Sequence, residues 1–132
     1  MATTKIRNFI PAIFAGILIA LLSACATTPG TSGAALAGTW TNSLASVWTI
    51  NPDGTFHVVA TKPKREIWGN YKLASDTITI QETRRSGRTP KNCKGPGVYK
   101  FSQPNEHTLK FTLVNDACSQ RKKNVLLAWH KK

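Results

Sequence analysis

"IWGNYKLASDTITIQET", residues 67–83, decides the fold. From Thr77 to Thr83 the residues alternate, with Ile78 and Ile80 on one face and polar side chains on the other. A period of two is the mark of a half-buried strand. Ile67–Leu73 is a second short run, and "ASD" between the two is turn chemistry. Strands joined so tightly pair antiparallel.

The same pattern continues in both directions. Upstream lie Gly38–Asn42, then Ser46–Ile50, the turn "NPDG", Thr55–Thr61 and the basic connection "KPKRE" at 62–66. Downstream, "RRSGRTPKNCKGPG" (84–97) leads to Gly97–Ser102, and "QPNE" leads to Thr108–Val114. "NDACSQRKK" (115–123) then leads to Val125–His130. No helical period is visible after Gly38. Eight short strands with mostly short links predict an all-β chain. Its expected form is a small antiparallel up-and-down β-barrel of about eight strands, closed so that no edge is left exposed.

The N-terminus has another character. Lys5 and Arg7 precede an apolar run, Phe9–Leu22, of signal-peptide length and shorter than the ~20 residues of a membrane span. It ends in Leu22-Ser23-Ala24-Cys25, which resembles the lipobox of bacterial lipoproteins. The resemblance implies cleavage before Cys25, lipid on its thiol and acylation of the new N-terminus, a multi-chain membrane anchor. Ala26 follows, where an aspartate marks inner-membrane retention in enteric bacteria, so the resemblance implies an outer-membrane lipoprotein facing the periplasm. The competing reading is ordinary secretion with a free Cys25. Residues 1–24 are thus expected to be a signal peptide, 25–37 a flexible lipidated tether and 38–132 the barrel. The tether is small and polar, with a reach of at most about 40 Å.

Gly38-Thr39-Trp40 resembles the Gly-x-Trp start of lipocalins and related calycin barrels, and "WTINPDGTF", "GNYKL", "DTITI" and "NDACSQR" resemble small bacterial lipocalin-like lipoproteins. The resemblance spans most of residues 38–132. It implies that Trp40 plugs one end of the barrel beside a cation near the last strand, with Arg121 the candidate. The chain is shorter than a typical lipocalin, and Trp40 is equally readable as a core aromatic.

Cys93 and Cys118 are an even pair in an oxidising compartment, which reads as a disulfide. The rival, a metal or redox pair, lacks both a CxxC spacing and a nearby histidine. The whole chain carries +12; loss of Lys5 and Arg7 leaves 16 basic and 6 acidic side chains. The meander places the links after odd-numbered strands at one end. That end is expected to gather Lys62, Lys64, Arg65, Arg84, Arg85, Arg88, Lys91, Lys94, Arg121, Lys122 and Lys123 against only Glu66 and Asp116. Asp53, Asp76 and Glu106 fall at the other. Cys93 and Cys118 both lie in the basic set.

His57, His107 and His130 are not spaced as metal ligands, and the acids are scattered, so neither a metal nor an enzymatic site is expected. No cofactor is expected either. The basic links contain no aromatic residue for base stacking, so nucleic acid is not an expected partner. The leading expectation is a lipid-anchored binding module for a small apolar ligand or an anionic envelope component. Solvated basic loops with no partner are the plain reading of the same charges. An inhibitor like the small lipoproteins that act on lysozyme is a competing function. Charge disfavours it, because common lysozymes are themselves basic. A structural envelope protein without a small ligand is the blandest function the chain could have.

Overall fold

A computed structural model describes residues 33–132. The expected signal peptide, Cys25 and the expected tether up to residue 32 lie outside the described residues. Eight antiparallel strands close into one barrel in chain order. They are β1 Gly38–Thr41, β2 Val47–Ile50, β3 Thr55–Thr61, β4 Lys64–Ala74, β5 Thr77–Arg85, β6 Gly97–Asn105, β7 Thr108–Asn115 and β8 Trp129–Lys131. Closure is by β8, which pairs with β7 at Leu109↔Trp129 and with β1 at Trp40↔Lys131. The up-and-down barrel expected from the alternation is the observed fold.

Local chemistry sets the turns. In "NPDG" the Asp53 carboxylate accepts from Thr55 N (2.9 Å) and from Thr55 Oγ1 (2.6 Å), and Gly54 takes φ +88°. Those Thr55 hydrogen bonds, the side-chain one first, hold the Asp53 pKa below its ordinary value. Gly69 has a close-approach role: a Cβ there would lie 2.6 Å from the Phe56 ring.

Eight strands enclose a space that side chains can fill. Trp40, Trp48, Trp129, Tyr99, Phe56 and Phe111 do so, with Ile50, Ile78, Ile80 and Leu109 between them. Trp48 is the hub. It stacks on Phe111 (5.4 Å between centroids) and meets Trp129 edge-on at 5.2 Å. Inward alternation puts these rings on one face, and offset or edge-on contacts suit their quadrupoles.

Several elements differ from the sequence expectation. "KPKRE" is not a five-residue link: Lys62-Pro63 alone makes the turn, and Lys64, Arg65 and Glu66 pair with Thr61, Ala60 and Val59. Arg84 and Arg85 likewise belong to β5, which shifts register opposite Trp68/Gly69. The last strand is not Val125–His130. Ser119–Val125 is a helix, α2, and β8 begins at Trp129. A short helix α1, Gly33–Leu36, occupies the end of the expected tether. Leu36 is fully buried there and its carbonyl accepts from Trp40 Nε1 at 3.0 Å.

Trp40 is fully buried at this α1 end. The cation over its ring is Lys131, with Nζ 5.6 Å from the centroid. Arg121 is not its partner, because that guanidinium is held by carboxylates elsewhere, as described next.

Candidate functional site

The opposite end of the barrel is a mouth crossed by α2. The ties of the helix reach four parts of the barrel: the β1–β2 turn, β4, β5 and the β5–β6 link. Asn42 Nδ2 in the β1–β2 turn donates to Asn124 Oδ1 at 2.7 Å. Gln120 Oε1 accepts from Arg65 of β4, and from Arg85 Nη1 of β5 at 3.2 Å. Arg121 Nη2 donates to the Gly95 carbonyl of the β5–β6 link at 2.9 Å. Cys118, the residue capping α2, is disulfide-bonded to Cys93 with Cα atoms 4.4 Å apart. The pairing expected of these two cysteines is therefore present.

Beneath α2 lies a buried ionic cluster. Asp116 receives Arg121 Nε at 2.6 Å, Arg121 Nη2 at 2.7 Å, the Cys118 amide at 2.7 Å and the Tyr99 hydroxyl. Burial pushes the Asp116 pKa up, but the Arg121 hydrogen bonds, joined by Tyr99 and Cys118, outweigh it and hold the carboxyl below its ordinary range. Tyr99 is pushed the other way, chiefly by burial and then by Asp116, so it stays a neutral donor. Glu82 accepts from Arg85 Nε at 3.0 Å and from Arg85 Nη2, and stands 3.6 Å from Arg121 Nη1. Gly97 is needed at this crossing, where a Cβ would lie 2.8 Å from Arg121 Nε and overlap Asp116.

Between the cluster and the aromatic core is a cavity of about 60 Å³, walled by Trp48, Phe56, Val58, Ile80 and Trp129 and reached by Arg65, Glu82, Arg85 and Arg121. Small-molecule pockets commonly measure roughly 300–1,000 Å³. A lipid-sized apolar ligand has no room here unless α2 moves.

The eleven expected basic residues sort into two groups. Arg85 and Arg121 are buried in the ion pairs above, and Arg65 is half-buried against Gln120. Arg84 lies over the Trp68 ring at 3.8 Å. Lys62, Lys64, Arg88, Lys91, Lys94, Lys122 and Lys123 make no ion pair within 4 Å among the described residues, and all but Lys122 are exposed. These seven lie at the mouth end, on the β3–β4 turn, the first residue of β4, the β5–β6 link and α2. Glu82 was absent from the sequence inventory of this end, although it continues the inward positions of Ile78 and Ile80. Gln120 and Asn124 carried no sequence signal.

The far end is less acidic than its turns suggest. Asp76 meets Lys100 at 3.7 Å, and the backbone amides of Lys131 and Lys132 are bonded there to the carbonyls of His107 and Thr39. An aromatic does accompany one arginine, Arg84, but Trp68 is covered on both faces, because His57 stacks on it at 4.8 Å from the other neighbouring strand. No ring face is left for a base. Among the described residues there is no group of three or more side chains suited to a metal ion. No family model, curated protein or solved structure matches this chain.

Proposed function

We propose that this protein is an outer-membrane lipoprotein of lipocalin-like type whose barrel binds an anionic envelope component, such as the cell-wall polymer, at its basic mouth. The observation that carries this reading is the set of seven unpaired cations around one end, while Asp116 and Glu82 there are held in internal ion pairs and Glu66 pairs with His57 at 3.0 Å. Exposed charges of one sign on neighbouring loops sum to a field that attracts and orients a polyanion. The anchor, Cys25, belongs to the N-terminal segment, and α1 enters at the end opposite the mouth. The basic face therefore points away from the anchoring membrane. The role is binding, with no catalytic step. A small apolar ligand inside the barrel is the weaker reading, given a cavity of about 60 Å³.

The test is sedimentation with purified cell-wall polymer across a salt series. Binding is expected to weaken steeply as salt rises. The triple variant Lys62→Glu, Lys64→Glu, Arg88→Glu is expected to lose about tenfold or more in affinity, each exposed ionic contact contributing up to about 1 kcal/mol. Capture that ignores both salt and charge reversal sinks the proposal.

A further inference from the structure

Two N–H groups under α2 have no hydrogen-bond partner among the described residues: Trp48 Nε1 and Arg121 Nη1. Both side chains are more than nine-tenths buried, at 2% and 5% exposure, and both line the same cavity. Buried donors without an acceptor are rare, and each one calls for an explanation. Here two of them, of different chemistry and from different elements, β2 and α2, belong to side chains that line one space.

We propose that this cavity is a binding site for a small monocarboxylate with a short apolar tail, held by Trp48 Nε1 and Arg121 Nη1. Four observations select that class. Trp48 Nε1 has no acceptor and Arg121 Nη1 has only Glu82 Oε1 at 3.6 Å, beyond hydrogen-bond reach; both are donors, so the missing partner is an acceptor, and a carboxylate offers two oxygens that only accept. Three guanidiniums reach the cavity, buried Arg85 and Arg121 and half-buried Arg65, against two carboxylates; Glu82 and Asp116 pair with the buried two, and Arg65 has no carboxylate partner within 4 Å among the described residues. One positive charge is left over, which a single negative charge balances and a dianion overshoots. The rest of the wall is apolar, with Phe56, Val58, Ile80 and Trp129 facing the tail. Finally, about 60 Å³ corresponds to roughly four water-sized positions, which limits the acid to about two to four carbons.

Gln120 marks the way in. Its amide oxygen, on the exposed side of α2, accepts from both Arg65 and Arg85. An arriving carboxylate can exchange for that oxygen before passing inward, keeping both guanidiniums satisfied during the exchange. This site goes beyond polymer binding and does not rest on it. The rim lysines lie outside the cavity, and the probes differ, so the two readings fail separately.

The experiment is a titration of the intact protein with sodium propionate at constant ionic strength, followed by the indole N–H resonances. The Trp48 resonance, assigned by its loss in Trp48→Phe, is expected to shift saturably. Propionamide, chloride and octanoate are expected to leave it in place: the first lacks charge, the second lacks the paired oxygens, the third is too long. Trp48→Phe keeps an aromatic ring but removes the donor, and is expected to weaken propionate binding at least tenfold. Ala60→Leu fills the cavity wall from β3 and is expected to abolish binding while the melting temperature stays within a few degrees. Should Trp48→Phe fail to fold, Ala60→Leu and the ligand series still decide. An unsaturable shift, an equal response to chloride, or full binding by Ala60→Leu means that the cavity holds only water, and overturns the site.

Discussion

Asp116→Ala is expected to remove about 3–5 kcal/mol of stability, the typical cost of stripping one partner from a buried ion pair. The Asp116 side chain is 0% exposed and the Arg121 side chain 5%, so solvent does not screen the loss. Three donors lose their acceptor together: the guanidinium of Arg121, the Tyr99 hydroxyl and the Cys118 amide. Arg121 would keep Glu82 only at 3.6 Å, a carboxylate already shared with Arg85. Domains of this size are stable by roughly 5–15 kcal/mol, so the loss is a large share of the total stability. Urea unfolding followed by tryptophan fluorescence measures this directly. A midpoint corresponding to less than about 1 kcal/mol of loss contradicts the account. The double variant Asp116→Leu, Arg121→Met is expected to recover most of the deficit, because the buried charges that remain, Glu82 and Arg85, are paired with each other. The pH dependence has a definite sign. Asp116 has a folded pKa depressed below its ordinary 3.8. Its contribution is therefore complete above that value and is lost as pH falls through the folded one. The wild type should lose stability in acid, and Asp116→Ala should lose less of its remaining stability there.

Removal of the disulfide is the second large effect. Cys93 and Cys118 are 25 positions apart, and a loop of that size corresponds to roughly 3.5 kcal/mol on the chain-entropy model. Cys93→Ser with Cys118→Ser is the cleaner variant, since serine is itself a good helix cap and keeps the start of α2 intact. For a domain of about a hundred residues the melting temperature should fall on the order of 15–25 °C. Reduction of the wild type should reproduce most of that fall. A change of only two or three degrees would show that the Asp116 cluster alone holds the β5–β6 link against α2.

The fold was legible because its central strands advertise themselves. Ile78 and Ile80 alternate with threonine, and "NPDG" states its turn through Asp53 and Gly54. Lys64–Glu66 concealed its strand, since three charged residues show no apolar period even though Arg65 turns toward the mouth cavity. The helix α2 was hidden by its length. Seven residues give a single buried i,i+4 pair, Arg121 and Val125, and one of the two is charged. The three-residue β8 is shorter than any pattern can register. At the mouth, the basic residues were visible as composition, but their division into paired and free was not. That division depends on the register shift in β5, which brings Glu82 and Arg85 together, and on Gln120 and Asn124 meeting strands far away in the chain.

Lys132 N donates to Thr39 O at 2.9 Å, which places Lys132 beside the start of β1. Both ends of the barrel chain thus leave from one pole, the one plugged by Leu36 and Trp40. A cargo fused after Lys132, or a surface coupling made there, would sit behind the barrel and leave the lysine-ringed mouth unobstructed. An immobilised form prepared through that residue presents the mouth to solution, a geometry suited to sensor tests of polyanion binding.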